Sequence, residues 1–380
     1  MKLKDDKICN LLQMIGSPFS DGRIRDPQES KRLFEISFKN RIAFLYLWKL
    51  HETGRLDFLR SEYERNLRRY IQLYEDLSRL LPVLDGLGMS YALVKTLRQY
   101  PENPNDIDIL LFEDLHTNLT AITKDLEGIG YRKYAKGNNT YNFGRVGKVG
   151  FWDYKRIGPK SKTSNALVWF DLDIYGEIMV EEFVHGDITL MANDVVTEAY
   201  TNVVDGRTLN ARVLNPAADL FYVYFHSIFP TRNIGLEVFY TTLHDLLYFR
   251  ETDYRRFAEL ARNSRLKKEI GYSLRLVADL YRTAFGVNCD RLEMLLDVLS
   301  DRSMGVREEV DFPYVYPTSF FVSAGIKTSF HKKGVQSLLA VFLKSLYPPY
   351  AANIIREVLS KKLAKKRYNL KYDDYSSSAP

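Results

Sequence analysis

An α+β fold is predicted by two features of the 380-residue chain. Between residues 89 and 214, short runs rich in Val, Ile, Leu and Tyr are separated by Pro, Gly and Asn, the texture of strands in a mixed sheet with a helix layer. On either side of that stretch apolar residues recur at steps of three and four, the period of amphipathic helices. The expected organisation is a helical region over 1–88, an α/β core over 89–214, an all-helical domain over 215–366 and a disordered tail over 367–380.

A first helix is expected over 31–53, where Leu33, Phe34, Ile36, Phe38, Ile42, Leu45 and Trp48 form a broad apolar stripe before Gly54. From Phe58 a second runs toward Gly86 and Gly88, its stripe made by Tyr63, Leu67, Tyr70, Tyr74, Leu77, Leu81 and Leu84. Pro82 is expected to kink or shorten it. Strands follow at 90–94 (SYALV) and 107–112 (IDILLF), with room for a turn or short helix at 96–100 before Pro101 and Pro104. Asp114 suits the N-cap of a helix carrying Leu115, Leu119, Ile122 and Leu126, with Gly128 past its end. Further strands are expected at 131–134 and 166–174, and the glycines at 144, 147 and 150 suggest a hairpin between them. Asn215 is an N-cap with Pro216 at the first helical position, and from there the helical period persists to about Lys366. The closing YDDYSSSAP has nothing to bury.

Composition narrows the function classes. Cys9 and Cys289 are too few for a disulfide framework or a four-cysteine zinc site, so a reducing, cytoplasmic setting is the simplest expectation. No run approaches the roughly 18 apolar residues of a spanning helix, so no membrane partner is expected. Motifs that would open a P-loop, hydrolase-elbow or zinc-protease reading are missing.

Chemistry concentrates in Leu93-Val94-Lys95-Thr96 and Asn105-Asp106-Ile107-Asp108-Ile109-Leu110-Leu111. Because side chains alternate along a strand, Asp106 and Asp108 share a face, and two carboxylates so close need a cation between them. Magnesium, a hard ion that takes carboxylate and phosphate oxygens, is the natural occupant, with manganese as its substitute. Most lone Asp-x-Asp pairs mark an exposed edge or a turn, but this one lies inside an apolar run where unpaired charge is expensive. A later strand carries Asp171 and Asp173, again on one face, and three acids on neighbouring strands can hold two metals.

These residues resemble a known pattern. Val94-Lys95-Thr96, running through Tyr100-Pro101 to Asp106-Ile107-Asp108-Ile109-Leu110, is similar to the core of the DNA polymerase beta-type nucleotidyltransferase superfamily. More closely it resembles an uncharacterised bacterial and archaeal branch in which a Lys-Gly pair precedes the acids. The likeness covers about residues 89–290, including His226 and Asp245 on successive helices. It implies a nucleotidyltransferase-like core and magnesium-dependent transfer of a nucleoside monophosphate from an NTP to an acceptor hydroxyl. Asp106 and Asp108 would bind both metals and Asp171 the acceptor-side one, with Asp173 in reserve. Lys95 and Thr96 would hold the triphosphate. Thr96 stands where the branch has glycine, Asn105 where it has Arg or Gly, and Asp173 where it often has His. A second reading, a fold that only binds nucleotide or nucleic acid, takes the missing glycine as its signature.

The acceptor could be RNA, a protein side chain or a small molecule. From Arg132 to Lys162 there are nine basic residues against Asp153 alone, a segment charge of 9 − 1 = +8 in a chain of net +6. Tyr and Phe residues and Trp152 are interleaved with them, the pairing expected of single-stranded nucleic-acid binding, with Lys155, Arg156 and Lys160 as contacts. A basic hairpin whose aromatics pack inward is the competing reading. His226, in FYVYFHSIF, reads as a hydrogen-bonded core or interdomain histidine, and Asp245 as its partner or as a cap. The aromatics Phe221, Tyr222, Tyr224, Phe225, Phe239 and Tyr240 read as core, and the lysines from Lys361 to Lys366 as a solvated helix end or a nucleic-acid contact.

Overall fold

The computed structural model describes residues 2–20, 30–104, 106–112, 115–134, 151–156, 170–175, 178–180, 183–186, 188–229, 231–299 and 309–328. The glycine-rich stretch at 144–150, Asn105, Asp114, Lys160, the cationic 361–367 segment and the tail therefore lie outside the described residues.

Strand β1 (Lys2–Leu3) and helix α1 (Lys7–Ile15) open the chain. The single helix expected over 31–53 is two, α2 (Ser30–Lys39) and α3 (Ala43–Glu52), separated by Arg41 in a left-handed conformation with φ 58°. Buried Asn40 holds that break: its amide donates to Ile36 O, and its side-chain oxygen and carbonyl accept from the backbone N–H groups of Leu236 and Glu237. Helix α4 (Arg60–Gly86) runs through Pro82 and continues past it. Burial of Leu80, Leu81 and Leu84, at about 1.5–3 kcal/mol each, outweighs the roughly 3 kcal/mol cost of an interior proline.

The sheet is built from β2 (Tyr91–Val94), β3 (Asp106–Leu111), β4 (Tyr131–Tyr134), which follows helix α5 (Leu115–Gly128), β5 (Phe151–Arg156) and β6 (Asp171–Tyr175). A hairpin of β7 (Ile178–Val180) and β8 (Phe183–Gly186) precedes its last two strands, β9 (Val195–Thr201) and β10 (Thr208–Leu214). Between β2 and β3 the chain bends without the short helix that was one of the two expectations. The seven-stranded order is β4-β5-β6-β3-β2-β10-β9, with β3/β6 and β2/β10 parallel and the other pairs antiparallel. Strands β2 and β3 are central and buried from Tyr91 to Val94 and from Ile107 to Leu111, as strands covered on both faces must be. On one face Tyr91, Ile109, Leu111 and Ile174 meet Leu84 of α4 and Ile122 of α5 around a small apolar void. By alternation, positions 106, 108, 171 and 173 fall on the other face.

Helix α6 (Pro216–Ile228) starts as expected, with Asn215 Oδ1 accepting from Ala218 N at 3.0 Å and Pro216 at the first position. After it come β11 (Asn233–Ile234), α7 (Leu236–Tyr248), α8 (Glu251–Asn263), α9 (Lys267–Phe285), α10 (Asp290–Val298), β12 (Glu309–Val310), β13 (Tyr314–Val315) and α11 (Thr318–Thr328). This half is not all helix: β11 pairs with β13, and β12 pairs in parallel with β1 from the other end of the chain. Two-residue strands are too short to show an alternation in sequence. The amino-terminal helices join the same assembly, since α1 packs on α9 and the Tyr240 hydroxyl donates to Gly16 O at 3.1 Å. One continuous apolar core reaches from Leu3 to Ala324, and the six aromatics read as core are all buried in it. Among the described residues no helix is long and apolar enough to cross a membrane.

Candidate functional site

The site forms where β2 ends and β3 begins. Lys95 takes the turn in a left-handed conformation, φ 55°, at a cost of about 1–2 kcal/mol for a residue with a Cβ. The strained position is thus Lys95, while Thr96, the residue standing in place of glycine, is not in the left-handed region. Thr96 instead braces the strand pair, since its buried hydroxyl donates to Val94 O at 3.1 Å and accepts from Asp108 N at 3.0 Å. That pins the turn to β3.

Asp108 lies opposite Val94 in the antiparallel ladder. Its side chain is 4% exposed, and Oδ2 is 2.8 Å from Lys95 Nζ. Oδ1 is buried with no hydrogen-bond partner, which leaves one carboxylate oxygen unsatisfied in a poorly solvated place. Asp106 is half-buried at the start of β3. The ladder sets Asp106 opposite Asp171 and Asp108 opposite Asp173, and β5 adds Asp153 opposite Asp173. Three neighbouring strands therefore contribute aspartate positions to one face, about 4.8 Å apart from strand to strand.

This oxygen-only donor set suits a hard cation such as Mg2+ or Mn2+. Among the described residues no three acidic, His or Cys side chains form a ready ligand group. The backbone register is what brings Asp171 and Asp173 to the pair on β3.

Lys95 also reaches the helical layer. Its Nζ is 3.1 Å from His226 Nε2 and 6.0 Å from the centre of the Tyr222 ring, both on α6. Burial first, and then the charge of Lys95, hold the His226 imidazole well below its usual range. The ring is neutral, and since an ammonium can only donate, Nε2 accepts and Nδ1 carries the proton. The bonded core histidine expected from sequence is therefore a wall of the site. Asp245 is not its partner: it lies among Asp219, Arg98 and Glu198, and its carboxyl is raised well above the ordinary range by burial first and by Asp219 second.

Behind the turn sits a buried polar network. Arg98, 8% exposed, donates from Nη1 to Asp219 on α6, with its Nε 3.7 Å from Glu102 Oε2. Burial pushes the Glu102 carboxyl up to about 7 against the opposing charge of Arg98, while burial pushes His244 down to about 4. The slopes these two give to stability are opposite. Between pH 4 and 6.5 unfolded His244 binds a proton that the folded form refuses, so stability rises with pH; between 4.5 and 7 folded Glu102 keeps a proton that the unfolded form releases, so stability falls with pH. Relative to wild type, Glu102→Gln is expected to make stability climb more steeply from pH 4.5 to 6.5, and His244→Phe to make it fall across the same window. Denaturant midpoints at half-unit pH steps check both signs, and parallel curves for the three proteins would contradict the assignment.

Two of the three acceptor contacts expected from sequence are placed by β5. By the register of β5 with β6, position 155 shares the face of the aspartate row and position 156 takes the opposite face. Asp153 was missed in sequence because it reads as the single acid of a basic segment. Only the register with Asp173 relates it to the site. No protein-family model matches this chain, and no curated protein matches it.

Proposed function

We propose that the chain is a divalent-metal-dependent nucleotidyltransferase on a nucleotidyltransferase-like core, moving a nucleoside monophosphate from an NTP to an acceptor hydroxyl with release of pyrophosphate. The observation that carries this reading is the buried, half-satisfied Asp108 beside Asp106 on an internal strand, in register with Asp171 and Asp173. Asp106 and Asp108 would hold two cations, with Asp171, or Asp173 in reserve, completing the acceptor-side one. Mg2+ or Mn2+ held by these carboxylates would activate the acceptor hydroxyl oxygen and offset the charge building on the leaving pyrophosphate. Lys95 contributes a cation for the phosphates, and the buried surroundings of Asp108 strengthen every charge interaction made there. We also propose a reducing, cytoplasmic setting, on the cysteine usage of the sequence, which has Cys9 and Cys289 far apart.

A nucleotide-binding protein without transfer activity is the second reading, favoured by one observation: Lys95 already occupies Asp108. Incubation with each labelled NTP, Mg2+ or Mn2+ and total RNA or cell extract separates the two. Labelled product lost in Asp108→Asn supports transfer, binding without product supports the second reading, and neither binding nor product removes both.

For the acceptor we propose RNA or single-stranded DNA, on the strength of the +8 segment at 132–162. Its log affinity is expected to fall with log salt at a slope near about −2, from about three phosphate contacts. Lys155→Ala, at the aspartate face, should flatten that slope more than Arg156→Ala, and Lys155, Arg156 and Lys160 changed together should flatten it most while leaving NTP binding intact. An unchanged slope in the triple variant, read by fluorescence anisotropy, would turn the search toward a protein or small-molecule acceptor.

A further inference from the structure

We propose that Lys95 is an internal counter-cation of Asp108 that is displaced toward nucleotide phosphate when a divalent cation binds there, so that metal and nucleotide bind cooperatively. The inference rests on the metal-dependent reading above. Asp108 is a nearly fully buried carboxylate, and such a group needs a positive neighbour at all times. Lys95 supplies one at 2.8 Å, but on Oδ2 alone, leaving Oδ1 without a hydrogen-bond partner. A divalent ion ligated by the same carboxylate would lie within a few ångströms of the ammonium, and two cations at that distance in a buried site repel strongly.

The ammonium has somewhere to go. Lys95 is the most exposed member of the cluster, at 21%, on a long flexible stem, and its second bond is to neutral His226 at 3.1 Å. His226 can keep one N–H while the contact to Asp108 breaks, which makes it a positioning residue for the swing. With metal alone, the displaced ammonium loses a charged partner and gains none. With nucleotide present, phosphate oxygens replace the carboxylate. The metal then binds more tightly when nucleotide is there, and by linkage nucleotide binds more tightly when metal is there.

Direct metal–phosphate bonding also couples the two ligands, so the decisive measurement uses Mn2+ without nucleotide. Lys95→Gln, which keeps a hydrogen-bond donor for Asp108 but no charge, and Lys95→Met should each bind Mn2+ about tenfold more tightly than wild type in electron paramagnetic resonance titrations. Asp108→Asn should abolish that site in all backgrounds. In the wild-type protein, acylation of Lys95 by an amine-directed reagent, followed by mass spectrometry, should rise when Mn2+ is added alone and fall when a non-hydrolysable NTP analogue follows. Equal or weaker Mn2+ binding by both Lys95 variants overturns the proposal, as does tighter binding with no change in Lys95 labelling. If the analogue with Mn2+ still binds in an Asp108-dependent way in either case, the nucleotidyltransferase reading survives alone. If no form binds Mn2+ with or without the analogue, that reading fails as well.

Discussion

NTP with Mg2+ is expected to stabilise the protein, and Asp108→Asn to erase that stabilisation while barely changing the stability of the ligand-free protein. A ligand specific for the folded state adds about 2.7 kcal/mol at a hundredfold excess over its dissociation constant, a clear melting shift. Removing a carboxylate proposed to hold the metal should remove all of it. The ligand-free protein responds differently because the pair is asymmetric: Asp108 is buried and Lys95 is not. Breaking a buried pair costs about 3–5 kcal/mol when it strands a charge, but here the remaining charge is the lysine, whose stem can turn to water. The reverse change, Lys95→Met, strands the carboxylate and should show most of that cost. Asp106→Ala is expected to reduce the ligand shift in the same direction. Calorimetric melting of each variant with and without NTP and Mg2+ checks the pattern, and a full ligand shift in Asp108→Asn would place nucleotide binding elsewhere.

What sequence could and could not show of this site follows from the range of the forces involved. The shared face of Asp106 and Asp108 was legible because a strand repeats every two residues, and the start of α6 was legible because an N-cap and a proline act within one turn. The facing of β3 by β6 depends on a pairing across more than sixty residues, which local pattern can suggest but not register. His226 was read from sequence as a bonded core or interdomain histidine, but its partner was not legible, since only the packing of α6 against the β2 turn brings its ring to Lys95. The helix break at Asn40 had the same origin, because its partners Leu236 and Glu237 lie nearly two hundred residues away. At the turn, the left-handed residue is Lys95 rather than Thr96, which stands in place of glycine, and the threonine hydroxyl ties β2 to β3 through contacts that no local pattern announces.

Arg98→Met is expected to destabilise the fold by about 3–5 kcal/mol at pH 8 and by distinctly less at pH 5. Arg98 is a buried cation facing three acids, Asp219, Glu102 and Asp245, with Tyr100 and Arg41 also acting on Glu102. A methionine of similar length fills the space but leaves those carboxyls facing one another in a poorly solvated region. The Nε of Arg98, Glu102 Oε2 and Asp245 Oδ2 are already buried without hydrogen-bond partners, so the network has no spare hydrogen bonds with which to absorb the loss. The acidic half of the prediction follows from proton linkage. Glu102 is raised to about 7 and Asp245 is raised well above its ordinary value with Arg98 in place, and removing the cation raises both further. At pH 5 these groups are protonated in the folded variant, the repulsion is gone, and the penalty shrinks. Since the network lies behind the Lys95 turn rather than at the aspartate row, the residual folded Arg98→Met protein should still show an Asp108-dependent ligand shift. Urea midpoints at the two pH values decide the matter. Equal destabilisation at pH 5 and pH 8 would mean that Arg98 acts through packing alone, and no destabilisation at pH 8 would mean that the three acids are not held by its charge.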